Sequence, residues 1–268
     1  MVNVIISGAA GRMGQAIARC ALEDKDASIA GAVESMGHDE VGKNLGDLLG
    51  ESSLNVTVSG KVDELPVEGK PVLIEFTFPE PTMEHLAWAR EKGIPMVIGT
   101  TALSDDQKSA IKSAAEVIPI CFAPNMSVGV NLLFKLVEQA ATILSEGYDV
   151  EIVETHHRFK KDSPSGTAAR LAEIVAAILN RDLEQDGVYG RKGMIGERKA
   201  SEIGIHTIRA GDVVGEHTVM FATLGERIEL THKAHSRNTF ALGALRAAKF
   251  LTDKKNGLFS MTDVLGLG

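Results

Sequence analysis

Cysteine, positive charge and long apolar runs are all scarce in this chain, and each scarcity removes a class of function. Two cysteines, Cys20 and Cys121, occur among 268 residues. That is too few for a disulfide framework, and both lie in apolar contexts that suit small core hydrophobes. Lys and Arg number 28 against 36 Asp and Glu, giving a net charge of −8. Broad nucleic-acid binding needs an extended basic surface, so it is not expected here. No apolar run reaches the length of a membrane span. The opening residues VNVIISG lack the basic segment of a signal peptide, so a cytoplasmic location is expected. Internal repeats and low-complexity linkers are also missing. Hydrophobic residues at 44% and charged residues at 24% are ordinary for a globular protein, and the length suits one large domain or two smaller ones.

The first half alternates short apolar runs with segments of helical spacing. Strands are predicted at Val2–Ser7, Ser28–Glu34, Val72–Phe76, Ile94–Ile98 and Val117–Phe122. Helices are predicted at Met13–Leu22, Pro81–Lys92 and Ser104–Glu116, the last capped by Ser104. Strands that alternate with helices form βαβ units around a parallel sheet, whose strands are apolar on both faces because both are covered. The second half differs. A long helix (128–144) and a strand (150–155) precede three runs of near-alternating polarity, at Ile203–Arg209, Val213–Phe221 and Arg227–Lys233, with turns at Gly211-Asp212 and Leu224–Glu226. These imply an antiparallel or mixed sheet covered on one face. Arg181–Ser201 is polar and glycine-bearing and reads as a mobile surface loop. An alanine-rich helix, Phe240–Leu251, is apolar enough to pack back onto the first domain. The expected division is 1–127 with 237–268, and 128–236.

Gly8, Gly11 and Gly14 follow the first strand at the mouth of a helix. Glycines at this spacing allow a tight turn, close approach of backbone to a pyrophosphate and close helix–strand packing. Glu34 closes the second strand twenty residues beyond Gly14, where a carboxylate can accept from both hydroxyls of an adenosine ribose. A glycine turn serving packing alone is the plainer reading, and the strand, helix and carboxylate in register favour the nucleotide. Arg12 lies within this loop, beside either phosphate or solvent. Glu34 would repel a 2′-phosphate, and residue 35 is Ser rather than Arg, so NADH is favoured with NADPH tolerated. Gly99-Thr100-Thr101 and Ala123-Pro124-Asn125-Met126 follow two further strands, at the edge where open α/β sheets bind ligands, and either suits the nicotinamide end. Phe76-Thr77 ends another strand at that edge.

The most informative stretch is His156–Thr167, HHRFKKDSPSGT. It places two imidazoles and three cations ahead of a helix that starts near Ser165. A helix N-terminus offers unpaired N–H groups and partial positive charge, so it binds anions. With His157, Lys160 and Lys161 beside it, the stretch reads as a pocket for a small, multiply anionic substrate, with His and Lys available for proton transfer. A capped surface helix with solvated lysines is the competing reading.

Taken together, GAAGRMG (8–14), VIGTT (97–101), NMSVGVN (125–131), HHRFKKDSPSGTA (156–168), RAGDVVGEHT (209–218) and GLFSMTDVL (257–265) resemble, in order and over nearly the whole chain, the 4-hydroxy-tetrahydrodipicolinate reductase (dihydrodipicolinate reductase) family. The resemblance implies a Rossmann-type dinucleotide domain plus an α+β domain for substrate binding and oligomerisation. It implies His156 as proton donor and Lys160 as second catalytic cation, with His157, Ser165, Gly166 and Thr167 holding substrate carboxylates. Cofactor contacts carried over are Gly8, Ala9, Ala10, Gly11, Arg12, Met13, Glu34, Gly99, Thr100, Thr101, Ala123, Pro124, Asn125 and Met126. No metal is implied. A homotetramer built through the second domain's sheet is. Ser35, in place of a basic residue, and Pro124, within the Ala-x-Asn loop, depart from the family pattern.

Three rivals remain at this stage. A dehydrogenase for another amino acid or semialdehyde would turn over that substrate and not the dipicolinate precursor. A non-catalytic NADH sensor would not need the His156–Lys160 pair. A metal hydrolase would use His156 with His157, or His232 with His235. Adjacent residues on a strand face opposite ways, however, and the second pair lacks a carboxylate or Cys partner at fixed spacing. Because substrate and nicotinamide must meet, hinges are expected near Asn125–Val128 and Ser236–Asn238. Hydrogen exchange in those segments should slow when both ligands bind.

Overall fold

The computed structural model describes residues 1–267. In chain order its elements are β1 (Val2–Ser7), α1 (Arg12–Glu23), β2 (Ala27–Val33), α2 (Leu45–Leu49), β3 (Val58–Ser59), β4 (Val72–Glu75), α3 (Pro79–Lys92), β5 (Met96–Ile98), α4 (Asp105–Ala114) and β6 (Pro119–Phe122). There follow α5 (Val128–Ile143), β7 (Asp149–His156), α6 (Gly166–Leu179), α7 (Leu183–Asp186), β8 (Gly187–Val188), β9 (Ile203–Arg209), β10 (Gly215–Thr223) and β11 (Glu226–Ala234). The last are α8 (Asn238–Leu251), β12 (Gly257–Phe259) and α9 (Met261–Leu265). The chain divides into two compact units, one comprising Met1–Val128 and the residues from Arg237 onward, the other Gly129–Ser236.

The first unit is a seven-stranded sheet in the order β12-β6-β5-β4-β1-β2-β3, parallel throughout. Period-two alternation explains why its strands carry apolar residues on both faces. Val4, Ile6, Ile74, Val97 and Cys121 face a core shared with α1 and α8, whereas Ile5, Leu73, Met96, Ile98 and Ile120 face a core shared with α3 and α4. Small residues let α8 approach closely: Ala241, Ala244, Ala247 and Ala248 are fully buried. A Cβ on Gly243 would lie 1.8 Å from the carbonyl oxygen of Met126. Lys249 joins this helix to Asp24 at 2.7 Å. Local signals place the helix ends. Ser104 and Gln107 form both halves of a capping box at α4, and α3 starts with proline and stops at Gly93 in the left-handed region.

The second unit is a mixed sheet, β11-β10-β7-β9-β8, with β7 parallel to β9 and antiparallel to β10. Val150, Ile152, Val219, Phe221, Ile203 and Ile205 form its core with α5 and α6. The mixed pairing agrees with the antiparallel or mixed sheet expected from the sequence.

Some boundaries move, and one expectation fails. The helix predicted from Met13 begins at Arg12, that from Pro81 at Pro79 and that from Phe240 at Asn238. The strand predicted over Val213–Phe221 runs Gly215–Thr223, and Leu224-Gly225 alone turns the hairpin. Arg181–Ser201 is not a bare loop. It holds α7, capped by Asp182, and β8, which pairs with β9. Arg191 grips Glu151 and Glu202, and Arg198 grips Asp149 and Glu151. Asp149 and Glu151 lie on β7, forty or more residues away, so local polarity could not reveal them. The short elements α2, β3, β12 and α9 gave no usable period over so few residues.

Candidate active site

In the first unit the strand order reverses between β1 and β4, and open α/β sheets bind ligands at the C-terminal edge of that switch point. The glycine loop sits there. Gly8 has φ +63°, a left-handed conformation that costs glycine little. A Cβ on Gly14 would lie 2.1 Å from the carbonyl oxygen of Gly8, so only glycine lets α1 start this close to β1. The N-cap of α1 is Gly11, with no side-chain oxygen on its first N–H groups. A cavity of about 590 Å³ opens at this edge, lined by Gly8, Gly11, Glu34, Lys61, Thr77 and His85 among others. Glu34, in its lining, accepts from the N–H of Ala10 at 3.1 Å and of Ser35 at 2.9 Å. A glycine cradle, an uncapped helix start and a carboxylate beside one cavity fit a dinucleotide.

Not every expected cofactor residue lines this cavity. Ala9 is buried in the core and Met13 is half-buried, whereas Arg12 is exposed. Gly99–Thr101 and Ala123–Met126 follow β5 and β6 on the same edge but outside the cavity. Gly99 lies under Phe76, where a Cβ would fall 2.2 Å from the ring. Thr100 is buried, its hydroxyl 2.8 Å from that of Thr82. Thr101 and Pro124 are exposed, Met126 is buried, and Asn125 accepts from the N–H of Ser127 at 2.9 Å. Sequence reasoning missed the cavity's inner wall. His85 and Thr77 line it, and both bond a fully buried Glu75 carboxylate, which accepts from the Nδ1–H of His85 at 2.5 Å and from Thr77. A charged residue closing an otherwise apolar strand was the available signal.

In the second unit β7 alternates strictly, and its buried phase runs Val150, Ile152, Glu154, His156. His156 Nδ1 donates to Glu154 at 2.6 Å. Adjacent His157, past the strand's end, is half-buried. Lys160 pairs with Asp162 at 2.9 Å. Ser165 caps α6, its hydroxyl accepting from the N–H of Ala168 at 3.2 Å and lying 3.0 Å from Nε2 of His217. Gly166 is exposed at the first helical position, with nothing within 4 Å of where a Cβ would stand, and Thr167 follows half-buried. The strand end and helix start thus bring His156, His157, Lys160, Ser165, Gly166 and Thr167 into one loop system.

Glu154, Arg209 and His217 complete this site and were not singled out from the sequence, although the last two fall within RAGDVVGEHT. Burial by itself would raise the Glu154 carboxyl, but hydrogen bonds from Arg209, His156 and the Ser165 N–H outweigh it and hold the group at about 2. Burial lowers His156. Glu154 opposes that shift, and the charges of Lys160 and Arg209 reinforce it. Burial, helped by the charge of His156, pushes His217 down to about 3. His232, half-buried on β11, is lowered by burial, and His235 is exposed. Among the described residues no group of three or more His, Cys, Asp or Glu could hold a metal ion.

These shifts set an acid sensitivity. Glu154 sits at about 2 against an ordinary 4.5, so its stabilisation is complete above 4.5 and is lost as pH falls toward 2. Glu151, where burial is likewise outweighed by bonds from Arg191, His206 and Arg198, sits at about 2 and behaves alike. His217 takes up its proton more readily unfolded, so falling pH costs stability between 6.5 and about 3. Unfolding free energy from denaturant titrations should therefore decline below neutrality, by on the order of a few kcal/mol at pH 4 and more steeply beyond. A value unchanged down to pH 3 would contradict these assignments.

Family models match the chain in both units. The family model for the N-terminus of dihydrodipicolinate reductase matches residues 2–126, and that for its C-terminus matches residues 129–265. The 4-hydroxy-tetrahydrodipicolinate reductase of Chromobacterium violaceum is 52% identical over 265 residues, covering 99% of this chain and 98% of the relative. That of Nitrosomonas europaea is 51% identical over 266 residues, covering 99% and 98%. The solved structure of a dipicolinate-bound dihydrodipicolinate reductase from Paenisporosarcina sp. TG-14 matches with a TM-score of 0.75 at 27% identity, covering 98% of each chain. An amine dehydrogenase from Mycobacterium smegmatis, 14% identical with a TM-score of 0.56, shares the fold. With the two family models together matching residues 2–126 and 129–265, and relatives about half identical over nearly its whole length, the chain belongs to the dihydrodipicolinate reductase family.

Proposed function

We propose that this protein reduces (2S,4S)-4-hydroxy-2,3,4,5-tetrahydrodipicolinate to tetrahydrodipicolinate, with loss of water, in lysine and diaminopimelate synthesis. The observation that carries the reading is the His156 imidazole, held by Glu154, on a loop that leads through Lys160 into the Ser165-capped start of α6. A ring bearing two carboxylates suits such a place, because a lysine and a helix start both favour anions.

A reduced nicotinamide, when bound, supplies the hydride; one proton must enter and one water leave. His156 is the proton donor, acting through Nε2 because Nδ1 is committed to Glu154. Lys160 assists by lowering the cost of negative charge on the substrate. His157, Ser165, Gly166 and Thr167 orient the carboxylates. In the first unit Gly8–Met13 would cradle the pyrophosphate and Glu34 the adenosine ribose, with Gly99–Thr101 and Ala123–Met126 toward the nicotinamide. NADH is the favoured nucleotide and NADPH is tolerated. Exposed Ile208 on β9 and Ile228 on β11 suit burial between copies of the second unit's sheet; a cytoplasmic homotetramer is what the family resemblance implies.

The direct test is nicotinamide oxidation with freshly generated precursor, NADH and NADPH run in parallel. Consumption is expected with wild type and not with the His156→Ala, Lys160→Ala double variant. NADH binding without consumption would leave a nucleotide-binding protein of another specificity. Glu34→Ala is expected to weaken NADH by about tenfold, through lost hydrogen bonds to a charged group, and to weaken NADPH far less. Equal losses for both nucleotides, measured by fluorescence titration, would remove Glu34 from the ribose site.

A further inference from the structure

A carboxylate in the buried phase of a strand is costly unless fully bonded. Glu154, between Ile152 and His156 in that phase of β7, is 0% exposed. Its two oxygens receive five donors. Oε2 accepts from His156 Nδ1 at 2.6 Å and Arg209 Nη1 at 2.8 Å. Oε1 accepts from Arg209 Nη2 at 3.0 Å, the Ser165 N–H at 3.0 Å and Thr207 Oγ1 at 3.2 Å. Arg209 Nη2 also donates to the carbonyl of Asp162 at 2.6 Å, so the same guanidinium ties down the loop that carries Lys160. One carboxylate therefore joins the end of β7, the end of β9 and the start of α6.

We infer that Glu154 is the positioning residue of this site, fixing the tautomer and direction of the His156 imidazole and the place of the α6 start relative to it. A carboxylate can only accept, so neutral His156 carries its hydrogen on Nδ1 and presents Nε2. Gly215 keeps space beside that nitrogen, since a Cβ there would stand 3.0 Å from it. The Ser165 N–H, held by the other oxygen, anchors the residue whose hydroxyl caps α6. Proton donor and anion cradle are thus spaced by a single group. Bidentate Arg209 balances the carboxylate's charge, so Glu154 orients His156 without making it a permanent cation. Burial and the two nearby cations already draw the imidazole down. The catalytic half of this inference rests on the proton-donor reading of His156, whereas the tautomer does not.

The test is Glu154→Gln in the full-length protein, with 15N-histidine labelling to read the His156 tautomer and His156→Asn to assign its resonance. A glutamine amide presents one acceptor and one donor to five donors, so the Nδ1–H tautomer should give way to a mixture. The turnover number is expected to fall by about 100-fold, the scale of a misplaced general acid. The high-pH limb of kcat/KM should move to lower pH, because the carboxylate that favours the imidazolium is gone. Cofactor affinity, set in the other unit, should change by less than about twofold. A retained Nδ1–H tautomer with turnover within about threefold of wild type would overturn the inference. If the glutamine variant does not fold, as judged by near-ultraviolet circular dichroism, Glu154→Asp keeps the charge but shortens the reach. It should show a mixed tautomer and about tenfold lower turnover, and wild-type values for both would equally overturn the inference. If His156→Ala retained turnover, the proton-donor reading alone would fail, and the tautomer would still decide whether Glu154 positions the ring.

Discussion

Replacing His156 with alanine is expected to lower turnover by about 10²–10⁴-fold, the usual contribution of a positioned proton donor, while NADH affinity stays within about twofold. The two effects separate because His156 belongs to the second unit, whereas the glycine cradle and Glu34 belong to the first. The pH profile adds an independent check. The reduction consumes a proton, so the rate falls as pH rises through the His156 pKa, which burial places below 6.5 in the free protein. That limb should appear in kcat/KM, which reports the free enzyme. In kcat it should lie at higher pH, because a bound dicarboxylate stabilises the imidazolium. A His156→Ala variant that turns over normally, or that loses NADH binding with turnover intact, would contradict the assignment.

Gly14→Ala is expected to abolish useful nucleotide binding and to destabilise the fold by about 1–3 kcal/mol, the cost of overpacking. The added Cβ would stand 2.1 Å from the Gly8 carbonyl oxygen and 2.7 Å from the Ala9 Cα. Both obstacles are backbone, so no side chain can swing aside. Relief requires α1 to back away from β1, which moves the loop that would hold the pyrophosphate. Gly37→Ala is the matched control. It has no atom within 4 Å of its Cβ position and an ordinary φ, so its stability should stay near wild type. Thermal unfolding and NADH titration of the two variants decide the matter. A Gly14→Ala protein that binds NADH with wild-type affinity would show that the close approach is not needed for the cofactor.

Fold class was legible because it depends on short-range periodicity. Val4 and Ile6 enter one core and Ile5 the other, and a run apolar at every position announces that outcome before any partner is known. Ser104 and Ser165 cap the helices whose starts they mark, since a cap is settled within three residues. At β3 and β12, two and three residues long, no period develops. The existence of each rests on an already formed neighbouring strand.

The site divides along the same line. Gly8, Gly11, Gly14, Glu34 and the stretch from His156 to Thr167 stand out because turn chemistry, helix starts and charge are local properties. Glu154, Arg209, His217 and the Glu75–His85 pair do not. A lone acid in a strand reads as a solvent-facing residue until its register is known, and Arg209 lies 55 positions from the carboxylate it grips. The polar stretch 181–201 carries the same lesson, because Arg191 and Arg198 become structural only once β7 presents Glu151 to them. The sequence by itself determined the layers, the caps, the glycine cradle and the reactive loop, since each follows from neighbours a few residues apart. Tertiary structure decided which buried charges are satisfied and by whom, because sheet register and the reach of a guanidinium bring together groups that chain distance keeps apart.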